Sequence, residues 1–152
     1  MKGPAYLVVF RLDDNRFALH LSAVARVIRV VEAVPLPEAP DIVTGVINIQ
    51  GKIVPVVNIR KRFRIEERTV DLNDHMIIAV TSKREVGIIV DEVLGVIECP
   101  EERIVMSGDV LSGMEYIEGM AKLEDGMVLI HDIEKFLSLE EEIKLDKAIG
   151  EM

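Results

Sequence analysis

The sequence predicts a mainly β fold, two small barrels with a few short helices and a C-terminal helix, and three observations lead there. The apolar content is high, 49% of 152 residues, yet aromatics make up only 4% and Trp is absent. A core of Val, Ile and Leu favours pleated strands, where β-branched side chains pack well. Short apolar runs bounded by turn residues recur along the chain, roughly ten of them, as in sandwiches and barrels. Finally, GKIVPVVNIRKRF (51–63) is echoed by GMVLIHDIEKFL (126–137), each with a turn glycine, an apolar strand, Asn-Ile or Asp-Ile, a basic residue and a Phe. Two copies of one hairpin-to-helical-turn unit suggest two lobes rather than one parallel sheet. The length fits a single domain, 1–152, with the second lobe at roughly residues 66–133.

Taken in order, Tyr6, Val8, Phe10 and Leu12 alternate with Leu7, Val9 and Arg11, the pattern of a strand with one buried face. Asp13, Asp14 and Asn15 form a turn, and Phe17, Leu19 and Leu21 continue as the second strand of a hairpin. Ser22 is placed to cap a short amphipathic helix, with Val24, Val27, Ile28 and Val31 at i, i+3, i+4 and i+7 and with Arg26 and Arg29 outward. Pro35, Pro37 and Pro40 end it and make an extended connector, after which Asp41 starts a single helical turn. GVINIQGKIVPVVNI (45–59) then reads as a hairpin turning at Gln50 and Gly51, with Pro55 where no ladder donor is needed.

The second half repeats the pattern. Residues 75–81 and 86–90 are strands joined by the turn SKRE, and 93–99 is a strand broken by Gly95. Residues 101–115 lack a clean period and read as a long loop. The last hairpin pairs 120–123 with 127–133 through EDG. Ser138 and Glu141 make a capping box that opens a C-terminal helix carrying Leu139, Ile143 and Leu145.

The chemistry-bearing residues do not converge. The net charge of −9, from 27 acidic and 18 basic residues, argues against a phosphate backbone as partner. Cys99 is the lone cysteine, which excludes a disulfide framework and a cysteine zinc site. His20, His75 and His131 are far apart in separate strands, so a structural role is expected rather than catalysis or metal binding. Asp91 and Glu92 could hold a cation, but neighbours on a strand point to opposite faces and a solvated turn is expected. The cluster RKRFR (60–64) reads as a solvated helix face, with contact to an acidic partner as the lesser alternative. No phosphate loop, dinucleotide fingerprint or nucleophile elbow is present. No cofactor is therefore expected, nor is an enzyme. The apolar run 30–34 either belongs to the core or leaves a greasy edge for a partner. No run of apolar residues is long enough to span a bilayer, and a soluble cytoplasmic protein is expected.

These residues carry a resemblance. RFALHLSAVARVIRV (16–30), DIVTGVINIQGKIVPVVNIRKRF (41–63), VGIIVDEVLGVI (86–97) and GMAKLEDGMVLIHDIEKFL (119–137) resemble, in order and motif, the CheW family of chemotaxis coupling proteins. The resemblance implies two SH3-like five-stranded β-barrels packed together and no catalysis. It implies an adaptor that joins the cytoplasmic tip of a chemoreceptor, a methyl-accepting chemotaxis protein, to the regulatory domain of the histidine kinase CheA. A CheW-like adaptor of a variant signalling system, with another receptor or kinase, is the alternative. By the resemblance, receptor contacts fall at Val24, Arg26, Gly45, Gln50, Ile77 and Gly87, and kinase contacts at Val31, Val34, Ile53 and Val110. Gly45 and Gly87 would either admit a partner backbone or serve a turn or bulge. The chain departs from the family pattern at Gln50, where Arg is usual, at Arg26, where an acid is common, and at Asn58, where Asp is usual.

Overall fold

The computed structural model describes residues 3–106 and 117–151. Its strands are β1 (Ala5–Leu12), β2 (Asn15–His20), β3 (Val24–Arg29), β4 (Val43–Ile49), β5 (Lys52–Val57), β6 (His75–Val80), β7 (Glu85–Val90), β8 (Glu92–Cys99), β9 (Ile104–Met106), β10 (Ile117–Leu123) and β11 (Gly126–His131). Two α-helices complete it, α1 (Ile59–Arg62) and α2 (Leu139–Gly150). The strands form two sheets, one ordered β8-β1-β2-β11-β10-β9 and the other β3-β6-β7-β5-β4. The lobe boundary expected near residue 66 is not where the sheets part. The chain starts in the six-stranded sheet, leaves it after β2 to build all five strands of the other, and returns at β8.

The period of two along each strand divides the interior into three cores. Leu7, Val9, Ala18, Val128 and Ile130 point into the concave side of the six-stranded sheet. Ile47, Val54, Val56, Met76 and Ile78 do the same in the five-stranded sheet. The alternate residues, among them Phe10, Leu12, Phe17, Leu19, Ile77, Ala79, Ile88 and Val90, meet between the sheets in the largest cluster. Strands buried on both faces read as continuous apolar runs, which is why 75–81 and 86–90 showed no alternation.

The internal echo is a structural repeat. Asn58 caps α1 by accepting from the Lys61 N–H, and Asp132 caps a 3-10 turn (Ile133–Lys135) by accepting from the Glu134 N–H. β5 and β11 each run antiparallel to the preceding strand and parallel to another, β7 and β2 respectively. The repeat reaches back to Gly45 and Gly119, each beside a bulge. A Cβ on Gly45 would lie 2.5 Å from the Val34 carbonyl oxygen, and one on Gly119 would lie 2.5 Å from the Val105 carbonyl oxygen. In both lobes a covering segment crosses the hairpin too closely for any side chain.

Three expectations are corrected. Residues 24–31 are not a helix: a 3-10 turn (Leu21–Ala23) leads into β3, which pairs with β6. The ladder shifts between Val24 and Arg26, so Val24 faces Ala79 and Val27 faces Ile77 on the same side. A bulge thus turns the strand's i, i+2 spacing into i, i+3 and imitates a helical period. Residues 40–43 form a turn, with the Val43 N–H donating to the Pro40 carbonyl, and not a helical turn begun by Asp41. Residues 101–106 of the expected loop hold a 3-10 turn and β9, and the remainder lies outside the described residues. The capping box is present, with Ser138 Oγ accepting from the Glu141 N–H and Glu141 accepting from the Ser138 N–H.

Candidate functional site

The lobes are tied together by charge at one place and by stacked rings at another. Asp91, between β7 and β8, has a side chain only 9% exposed. It accepts from Arg60 at 2.8 and 3.0 Å, from the Asp13 N–H at 2.7 Å, and from Arg68. Arg60 also donates to Asp13 and Arg68 to Asp74. Burial pushes the Asp91 carboxyl up, but the hydrogen bonds from Arg60, the Asp13 N–H and Arg68, with the charge of Arg60, outweigh it and hold the group below its usual range. Asp91 is therefore no solvated turn residue, and its cations are arginines. RKRFR is likewise no solvated face: Arg60 is buried and Arg62 donates from Nη2 to both carboxylate oxygens of Glu141 of α2 at 2.6 and 2.7 Å. Lys61 and Arg64 alone of its basic residues stay exposed. Arg84 adds contacts to Glu142 and Asp146, so α2 is docked by ion pairs on the β6–β7 turn and on α1. Phe63, just after α1, stacks on His131 of β11 at 3.9 Å and 19°. Phe17 and Phe136 close around that pair, and burial drives the His131 pKa down to about 3, so the ring is neutral.

With the interior sealed, the surface carries what is available to a partner. On β3 the residues facing the inter-sheet core are Val24, half-buried, and Val27, 40% exposed. On the six-stranded sheet Val8 pairs with Leu19 and with Val96, and Tyr6 pairs with Glu98. Val96 and Tyr6 therefore belong to the inter-sheet face as well, yet they are 55% and 50% exposed. Each sheet's inner face extends beyond the shared core and leaves apolar side chains in the open seam. A second apolar exposure lies at β4–β5. Val34 bridges to Val46, which pairs with Pro55, and Ile53 stands two residues before Pro55 on that face. Val34 and Ile53 are exposed there, as is Val31 on the connector.

The expected site residues divide accordingly. Val24, Val31, Val34 and Ile53 reach the surface; Val110 lies outside the described residues. Ile77 has no exposed surface and stands beside Val27 across the β3–β6 ladder, on the same face. Gly45 admits the chain's own Val34 carbonyl, not a partner's backbone, and a Cβ on Gly87 would lie 3.2 Å from the Met76 sulfur, on the small-core side. Arg26 is exposed but pairs with Ile78, so it lies on the face away from the seam. Gln50 and Gly51 form the tight turn of β4–β5 with φ of 51° and 86°. The seam positions of Val27, Arg29, Tyr6 and Val96 escaped sequence reasoning, as did the role of Asp91 in tying the lobes. The register decides which way each points, and a helical reading of 24–31 concealed it for Val27 and Arg29. Among the described residues no group of three His, Cys, Asp or Glu could hold a metal ion. No helix there is long and apolar enough to cross a membrane.

Fold and surfaces together define a two-lobed protein of SH3-like β units. The chain belongs to the CheW family, a family of chemotaxis scaffold proteins: the CheW-like domain matches residues 6–141. It is 30% identical over 145 residues to the chemotaxis protein CheW of Treponema pallidum, covering 91% of this chain and 85% of the relative. It is 29% identical over 140 residues to that of Thermotoga maritima, with 92% and 90% covered. The crystal structure of the scaffolding protein TtCheW from Thermoanaerobacter tengcongensis superposes with a TM-score of 0.83 at 32% identity, over 91% of this chain and 95% of that one.

Proposed function

We propose that this protein is a non-catalytic chemotaxis scaffold of the cytoplasm that couples chemoreceptor cytoplasmic tips to the regulatory domain of the CheA histidine kinase. The observation that supports it is that, among the exposed apolar side chains, two sets gather at opposite edges of the five-stranded sheet, one at β3 and one at β4–β5. The seam, with Val24 and Val27 on one sheet and Tyr6 and Val96 on the other, suits an amphipathic helical tip that lays its apolar face between lobes. The β4–β5 surface, with Val31, Val34 and Ile53, suits a flat sheet-end contact with the kinase domain. Two partners can then be held at once, which is what a scaffold requires. Binding to each purified partner, alone and together, tests the proposal. Val27→Asp should weaken the receptor tip only and Ile53→Asp the kinase domain only. A single substitution that abolishes both without unfolding the protein contradicts two separate sites.

A further inference from the structure

We propose that Arg29 on the free edge of β3, and not Arg26 three residues before it, selects the receptor tip by pairing with a carboxylate on the tip. This rests on the seam being the receptor site. β3 ends its sheet, so one side of its backbone is unpaired by β-structure. Arg29 pairs across the ladder with His75, two positions on from the Val27–Ile77 pair, so Val24, Val27 and Arg29 form one stripe on the seam side. Arg26 and Ile28 pair with Ile78 and Met76 and share the opposite face, the side that wraps the small core.

Both arginines are exposed, and neither guanidinium has an ion-pair or hydrogen-bond partner among the described residues. Most other arginines of the chain are engaged: Arg11, Arg16, Arg60, Arg62, Arg68 and Arg84 all hold carboxylates. In a chain of net charge −9 with so many acids to spare, an unpaired guanidinium beside an apolar stripe is complementary to an acidic, amphipathic partner. A guanidinium there gives register and discrimination by a planar two-point contact with a carboxylate. The occupant is therefore a tip helix with an apolar strip for Val24 and Val27 and an Asp or Glu at its border for Arg29.

The two arginines make an internally controlled experiment, since each reversal changes the net charge equally on the same strand. The affinity of a purified chemoreceptor tip fragment from the same organism is measured for the full chain and for Arg29→Glu, Arg29→Gln, Arg26→Glu and Val27→Asp. Arg29→Glu should weaken binding about tenfold, Arg29→Gln by less, and Arg26→Glu by under about twofold, with the difference shrinking at high salt. Equal weakening by Arg26→Glu and Arg29→Glu reflects only long-range charge and overturns the proposal. Unchanged binding by both, while Val27→Asp still weakens it, overturns the role of Arg29 and leaves the receptor site standing. Absence of tip binding by the unmodified chain overturns both.

Discussion

Gly45→Ala should destabilise the protein far more than its place on a surface hairpin suggests. The new Cβ would sit 2.5 Å from the Val34 carbonyl oxygen and 2.9 Å from the carbonyl carbon, where ordinary contact begins near 3.4 Å. The obstacle is backbone, so the connector has to move by about 0.9 Å, well beyond what a soft contact absorbs. That segment is held by two hydrogen bonds, Val34 N–H to Val46 O at 2.9 Å and Val46 N–H to Val34 O at 2.8 Å. Losing both costs about 1 kcal/mol each, and the displaced packing of Ala33 adds to it, for a total of roughly 2–4 kcal/mol. Denaturant unfolding would measure this beside two comparisons. Gly87→Ala meets the flexible Met76 side chain at 3.2 Å and Ile78 Cδ1 at an ordinary 3.6 Å, with no backbone in the way, and should cost under about 1 kcal/mol. Gly150→Ala, at the end of α2 with nothing within 4 Å, should be neutral or stabilising by up to about 1 kcal/mol. The same displacement moves Val34, so Gly45→Ala should weaken the kinase domain more than the receptor tip. A Gly45→Ala midpoint equal to that of Gly150→Ala would refute the close-approach argument.

Further outcomes follow from the lobe ties and the turn. His131, held near a pKa of about 3 against a usual 6.5, must stay neutral in the folded state, so its contribution is complete above 6.5 and declines as pH falls. Between pH 7 and pH 5 the unfolding free energy should drop by about 2 kcal/mol, and His131→Phe should flatten that slope; equal slopes in both proteins count against the assignment. Asp91→Asn strips Arg60 and Arg68 of a shared carboxylate and should cost about 2 kcal/mol at neutral pH. Because the Asp91 carboxyl is held below its usual range, that difference should vanish as acid protonates it, and a difference that persists at low pH is the failing result. Gln50→Arg keeps the left-handed turn and should leave stability within about 0.5 kcal/mol, so any gain in receptor binding would come from contact rather than folding; a shifted midpoint would show otherwise.

The strand over Tyr6 to Leu12 (though both of its faces are buried where one was expected), the Gln50–Gly51 turn, the capping box at Ser138 and the echo of 51–63 in 126–137 were legible in the sequence because each is a local rule. So was family membership, carried by motifs spread over nearly the whole chain. The 24–31 segment was misread because a bulge at one residue shifts face parity, and a bulge is chosen by the partner strand. The lobe boundary was misplaced because sheet membership is set by long-range pairing, and the chain exchanges sheets twice. Sequence likewise gave no means to tell an open glycine from one under a carbonyl, or Arg26 from Arg29, since both distinctions depend on what crosses or pairs with the strand. What the chain by itself determined was therefore its local vocabulary of strands, turns and caps, together with an apolar supply sufficient for a β core. Only the tertiary structure decided which residues face the seam, which arginines are consumed in ties and which remain free, because direction on a strand is relative to a neighbour that sequence order does not name.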